Sequence, residues 1–195
     1  LATLMLGLAL ATALWSGVQA INAEARASYA AAAATLGETR HAQLLPREGG
    51  SLSDARYVEI RRAGLLVSPV VEGRIERAGE SWRLIGIDPL TVPADVAPQG
   101  AGIAGDLPGF LTAPGLVYTP PADAARLAGE FDQPVRAAEG LAPGVLFTDI
   151  AAAQRLLGLQ GRLTRLILRD DQPLGAPDPA ALAPELELRR PGQGS

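Results

Sequence analysis

The first pattern along this chain is a long run without charge. From Leu1 to Ala23, 23 residues, there is no acidic or basic side chain, and polar members such as Thr3, Thr12, Ser16 and Gln19 are sparse. As a helix this stretch would be roughly 34 Å long, against a bilayer hydrocarbon core of about 30 Å. Trp15 and Gln19 sit near one end, where interfacial residues are common. The pattern predicts a transmembrane helix over residues 1–22. Two other readings stay open. Val18-Gln19-Ala20 has the small-x-small form of a signal-peptide cleavage site, although no basic n-region precedes it and the apolar part is long. A buried helix of a soluble domain rarely runs so far without a charge.

Beyond Ala23 the pattern stays helical. Glu24 to Tyr29 leads into the alanine run Ala30 to Ala34, with no breaker before Gly37. Alanine is the best helix former, so residues 23–37 are expected to extend the helix out of the membrane as a stalk. The chain begins with Leu rather than Met, so the flank before the span is expected to lie outside this sequence. After the span, charges alternate (Glu24, Arg26, Glu38, Arg40) with no arginine excess, as expected on a non-cytoplasmic side.

Residues 38–190 read as a globular domain. His41 to Leu45 is a short apolar strand closed by Pro46 and Gly49-Gly50. Ser53 has the place of an N-cap for a helix from Asp54 to about Ala63, with Tyr57 and Ile60 on one face and Gly64 as the stop. From Val70 to Arg77 the positions alternate: Val71, Gly73 and Ile75 on one side, Glu72, Arg74 and Glu76 on the other. That is the period of a half-buried strand. Ala78-Gly79-Glu80 is a turn, and Ser81 to Ile87 returns as the second arm of a hairpin.

Residues 91–115 are rich in Pro, Gly and Ala and read as an irregular connection, and residues 91–145 as a candidate second lobe. Within it Leu116 to Tyr118 is a short strand, and Thr119 caps a helix that starts at Pro120 and stops at Gly129. Val145 to Phe147 is a strand, Asp149 caps a helix from Ile150 to Leu157, and Leu163 to Arg169 is a further strand. Residues 171–184 form a Pro-rich linker before a last strand at Leu186 to Leu188. Strands and short helices alternate without a regular βαβ rhythm, so the fold class is α+β: a mixed small-sheet domain with short helices.

Composition narrows the function classes. All 17 positive charges are arginine, the net charge is −4, and cysteine is absent. A mildly acidic chain without a basic stripe does not suit nucleic acid. Without cysteine there is no disulfide framework, thiolate metal site, thiol nucleophile or lipidated cysteine.

The candidate chemistry is thin. Gly100-Ala101-Gly102-Ile103-Ala104-Gly105 matches G-x-G-x-x-G, but it follows Pro98 and precedes Asp106-Leu107-Pro108-Gly109, not the strand and helix that a pyrophosphate requires. In a chain with 22 glycines such a match carries little. His41 is the single histidine, and no Ser lies in a nucleophile-elbow context to use it as a base. It reads as an ordinary exposed or stalk-packing residue. Asp88, in Gly86-Ile87-Asp88-Pro89, has the place of a catalytic acid at a strand end, but Asp-Pro also initiates turns, and no second carboxylate has a recognisable spacing to it. Asp170-Asp171 reads as a solvated loop pair. No catalytic, cofactor-binding or metal-ligating set is expected.

In order along the chain, "LWSGVQAINAEARASY", a strand–helix–hairpin unit closing on "RLIGIDPL", then "GLVYTPPADAARLAG" and "VLFTDIAAAQRLLGLQGRLTRLIL" resemble a known arrangement. They are similar to the first transmembrane helix and extracytoplasmic (periplasmic core) domain of FtsX/MacB-type ABC transporter permeases, in particular the large permeases of the lipase-associated exporter group. The resemblance implies a non-catalytic domain on a bacterial inner (plasma) membrane, no cofactor, and ATP hydrolysis in a separate cytoplasmic ATPase subunit. It further implies a dimeric permease assembly, a periplasmic partner protein, and a hydrophobic or lipid-type cargo. The helical stalk would carry ATP-driven motion of the membrane helices into the domain, and another membrane helix would follow Ser195. A secreted periplasmic binding module with a cleaved signal peptide is the alternative.

Overall fold

The computed structural model describes residues 40–96 and 105–191. The expected membrane helix (1–22) and stalk (23–37) lie outside the described residues, as do the first five positions of the glycine motif. Among the described residues no helix is long and apolar enough to cross a membrane.

Among the described residues the domain is α+β, with ten strands and five short helices. In chain order these are β1 (Gln43–Pro46), β2 (Leu52–Ser53), α1 (Asp54–Arg62), β3 (Val67–Arg77), β4 (Glu80–Ile87), α2 (Leu107–Leu111), β5 (Val117–Thr119), α3 (Pro121–Leu127), β6 (Val135–Ala137), β7 (Val145–Asp149), α4 (Ile150–Leu157), β8 (Arg162–Leu163), β9 (Arg165–Leu168), α5 (Pro179–Leu182) and β10 (Leu186–Arg189). Eight strands form one mixed sheet in the order β10-β1-β9-β3-β4-β7-β5-β6, and β2 and β8 make a small second one. Strands β5 and β6, from the central part of the chain, extend the same sheet as the hairpin β3–β4.

Strand period and turn chemistry explain the centre of this sheet. The β3–β4 hairpin runs in unbroken register from Val70 opposite Ile87 to Arg77 opposite Glu80. Strand β7 adds to β4 in parallel, with Ile87 opposite Asp149. Parallel strands need a crossover: residues 88–144 make the one from β4 to β7, and α4 makes the next, passing over β4 and β3 before the chain returns as β9. The helix sits low because two strand positions have no side chain. A Cβ at Gly86 would stand 2.3 Å from the Ala153 Cβ, and one at Gly73 would stand 2.7 Å from Leu157 Cδ2.

Both faces of the sheet carry a core. On the helix side Leu44, Val71, Trp82, Leu84, Leu146 and Leu166 pack with Ile60 and Ala153. On the other side Val70, Ile85, Phe147 and Ile167 pack with Phe110, Leu116 and Leu141. Trp82, 1% exposed, donates its indole N–H to Arg77 O at 3.0 Å, and Arg126 lies 5.1 Å above its ring.

Several local expectations shift, and Pro46, expected to close the first strand, instead pairs with Leu186 inside it. Thr119 closes β5 instead of capping a helix, because Ala138 N donates to Thr119 O at 2.8 Å as β6 pairs alongside; α3 begins at Pro121 with no side-chain cap. The expected single strand Leu163 to Arg169 is divided at Thr164. That residue's N–H and hydroxyl both bond Val70 O, and its hydroxyl oxygen accepts from Glu72 N. Strand β3 begins three residues before Val70, with Pro69 opposite Leu166. Proline reads as a strand breaker, yet here pairing with β9 continues through it.

Candidate functional site

The chain enters the sheet on β1 and leaves it on β10, and these two strands are antiparallel neighbours, Gln43 opposite Arg189. We call this the near end. Strand β9 also finishes there, as Leu168 N donates to Ala42 O, and so does β4, whose last residue pairs with the last residue of β7. Most of the polar residues singled out in the sequence fall at this end.

Asp88 makes the turn that follows β4. Its carboxylate accepts from Leu90 N at 3.0 Å and from the Thr91 hydroxyl at 2.8 Å, and its carbonyl accepts from Thr91 N and Val92 N. This is the turn-initiating role of an Asp-Pro pair. Thr91 Oγ1 also lies 3.1 Å from Ser68 Oγ. The resulting Ser–Thr–Asp chain is not a nucleophile relay open to a substrate, since Ser68 is 0% exposed.

The same loop brings Asp95 to His41. His41 is buried, 9% exposed, so of the two readings, exposed or stalk-packing, the exposed one falls away. Its Nε2 lies 2.8 Å from Asp95 Oδ1, and its Nδ1 lies 3.0 Å from Asp170 Oδ2, off the line of a hydrogen bond. Burial pushes the Asp95 carboxyl up, but the His41 hydrogen bond and charge outweigh it and hold that carboxyl below its ordinary value. A general base needs one ring nitrogen free to take a proton from a nucleophile, and a metal ligand needs a free lone pair. Here each ring nitrogen faces a carboxylate. Among the described residues no group of three or more His, Asp or Glu side chains is arranged to hold a metal ion. The arrangement ties the start of β1 to the turn after β4 and the turn after β9. Asp171, beside it, takes both Nε and Nη2 of Arg169 at 2.8 and 2.6 Å.

The carboxyl ends of parallel strands are where open α/β sheets hold ligands, and the β4–β7 pair ends here. The place is filled from within. Asp149 Oδ1 accepts from Ala151 N at 2.8 Å and Ala152 N at 3.1 Å, capping α4. Gly115, at φ +86°, lies so close that a Cβ there would stand 2.6 Å from Asp149 Oδ2. Burial drives the Asp149 carboxyl above its ordinary value, more strongly than its two backbone bonds lower it. A helix N-terminus can hold an anion only when its N–H groups are free, and these are taken.

Away from the near end, the open half of the second sheet face carries a charge cluster on β3, β4 and β9. Glu72 lies between Arg83 Nε at 2.5 Å and Arg165 Nη1 at 2.6 Å. Burial raises the Glu72 carboxyl, and the two guanidiniums together pull it below its ordinary value. A cavity of about 340 Å³ beside it is also lined by Arg74, Thr164 and Leu45. Neither this cluster nor Asp95 carries a local sequence signal. Both arise from pairing between distant strands and loops, which spacing along the chain does not report.

No model of a known protein family matches the chain, and no curated protein matches its sequence.

Proposed function

We propose that this chain is the extracytoplasmic part of an ABC transporter permease subunit of the FtsX/MacB type. In this reading it is non-catalytic, sits on a bacterial inner membrane, and is driven by a separate cytoplasmic ATPase within a dimeric permease. It couples ATP-driven motion of the membrane helices to the export or release of a hydrophobic or lipid-type substrate, or of a partner protein.

The observation that supports it best is the adjacency of β1 and β10, with Gln43 opposite Arg189. A domain inserted between two membrane helices must receive and return its chain at one end, and this one does. A second support is where the stretches behind the resemblance fall. "RLIGIDPL" supplies most of β4 and its Asp88 turn, while "VLFTDIAAAQRLLGLQGRLTRLIL" runs through β7, α4, β8 and β9. They meet side by side as the parallel pair at the centre of the sheet.

The test uses the intact protein in bacterial cells. The sequence lacks cysteine, so a Glu48→Cys variant can be probed with a membrane-impermeant thiol reagent. Labelling from outside the inner membrane, and co-purification with an ATPase that carries a phosphate-binding loop, are expected. Labelling only after lysis would refute the topology. A mature N-terminus at Ile21 would favour a secreted binding module, and a parent gene without a hydrophobic span beyond Ser195 would remove the permease.

A further inference from the structure

The mixed sheet ends in β10 at one edge and β6 at the other, and each has a single strand neighbour among the described residues. An edge strand shows a row of unpaired backbone groups, a template for another chain. Which groups β10 shows follows from its register with β1. Arg47 N donates to Glu185 O, and the pairs that follow are Pro46 with Leu186, Leu45 with Glu187, Leu44 with Leu188 and Gln43 with Arg189. Hydrogen-bonded and non-hydrogen-bonded positions alternate along an antiparallel pair. Glu187 and Arg189 therefore bond β1, while Leu186 and Leu188 turn their backbone groups outward. The other neighbour of β1 agrees: Leu168 N donates to Ala42 O, so two residues further on Leu44 bonds Leu166 and not Leu188. The Leu186 N–H is taken by Ala183 O, whereas the N–H and C=O of Leu188 have no partner among the described residues.

Side chains alternate in the same way. Leu186 is buried in the helix-side core and Leu188 packs against it, so Glu187 and Arg189 share the opposite face. Both are exposed, their neighbours on β1 are the uncharged Leu45 and Gln43, and neither forms an ion pair among the described residues.

We propose that β10 pairs with β10 of a second copy of this chain, antiparallel about a two-fold axis centred on Leu188, joining the two sheets edge to edge. In that register Leu188 faces the same residue of the copy, and each N–H donates to the other's carbonyl. Glu187 faces Arg189 of the copy, and the reverse, at non-hydrogen-bonded positions where Cα atoms come to about 4.5 Å and side chains are closest. Opposite charges directly across a strand pair attract, and like charges there repel. Registers centred on Glu187 or on Arg189 would set like charge against like charge. Two charges in this order thus admit one register and exclude its neighbours, which is how electrostatics confers specificity. The Arg190 N–H then faces the outward carbonyl of Leu186 in the copy. The opposite edge offers no such match, since β6 has three residues, follows Pro134 and carries Arg136 as its only charge. The pairing uses residues 186–190 alone and is independent of the permease reading.

Cysteine is absent, so Leu188→Cys puts one thiol per chain on the axis, where the two Cα atoms would be about 5.5 Å apart, within disulfide reach. In the full-length chain purified in mild detergent, gentle oxidation should give a covalent dimer, and Arg136→Cys on β6 or Val58→Cys on α1 should not. Adding Glu187→Arg or Arg189→Glu should each cut the dimer about tenfold. The two together restore opposite charges and should recover it. In the parent chain, with no substitution, exchange of the Leu188 amide should slow as protein concentration rises, while exchange along β6 stays constant. Equal cross-linking at Arg136, no recovery in the double charge swap, or Leu188 exchange independent of concentration overturns the pairing. None of these results bears on the membrane topology, which the Glu48→Cys labelling tests separately.

Discussion

The two faces of the central sheet are built by alternate residues of the same strands, and they are stabilised in different ways. On the helix side Val71, Gly73 and Ile75 of β3 meet α4, and the contact is one of shape: Gly73 and Gly86 leave room for Leu157 and Ala153. On the other side, beyond the core around Val70 and Ile85, the open half of the face holds half-buried Glu72 and exposed Arg74, and the contact there is one of charge: Glu72 between Arg83 and Arg165. A volume change should therefore damage the first face, and a proton the second.

The largest effect is expected at the helix seat. Gly86→Ala puts a methyl group against Ala153 and within 3.2 Å of Asp149 O, and should cost about 2–3 kcal/mol. Urea unfolding followed by tryptophan fluorescence measures it. Adding Ala153→Gly removes the closer clash, so the double variant should recover part of the loss; strict additivity would show that the seat is not the cause.

Next comes the helix cap. Asp149→Ala removes the acceptor for two backbone N–H groups and should cost about 1–2 kcal/mol. Asp149→Asn keeps an acceptor. Since burial holds this carboxyl above its ordinary value, the folded state binds its proton more tightly than the unfolded chain. The group by itself thus favours folding more as pH falls through its folded value, and Asn should match Asp near neutral pH. A deficit as large as that of Ala would mean that the charge, and not the hydrogen bonds, makes the cap.

On the charged face Glu72→Gln should cost about 1 kcal/mol at neutral pH, discounted because the cluster is partly open to water. Its carboxyl is held below the ordinary value, so its contribution is present above the unfolded carboxylate range and disappears as pH falls through the folded value. The variant should accordingly lose less stability than the parent in acid, and parallel pH curves would contradict this. The smallest effect is expected from His41→Ala, about 0.5 kcal/mol, because its acids are partly or largely exposed. Its signature is local: faster amide exchange at Ala42 and Leu168, with the centre of the sheet unchanged.

Much of the fold was legible in the sequence where the signal is local. Ser53 accepts from Arg56 N as its N-cap position implied, Asp149 caps a helix of the expected length, and Gly158 closes that helix in the left-handed region. The β3–β4 hairpin follows from alternation and a Gly turn. What was missed is short or bordered by proline: β2, β6, α2 and α5 span two to five residues each, too few for a period to declare itself. The candidate site was legible in part. Asp88 could be read as a turn from Asp-Pro alone, whereas the burial of His41 depends on Asp95 and Asp170, which are 54 and 129 positions away.

The sequence by itself determined the caps at Ser53 and Asp149, the hairpin, the α+β class and the long uncharged segment before Glu24, because each depends on neighbours within a few residues. The tertiary structure alone decided which strands became neighbours. It set β7 parallel to β4, paired β1 with β10, and enclosed His41 between two acids. Those outcomes depend on how the two sheet faces bury their apolar residues together, a quantity shared by the whole chain and recorded in no single stretch of it.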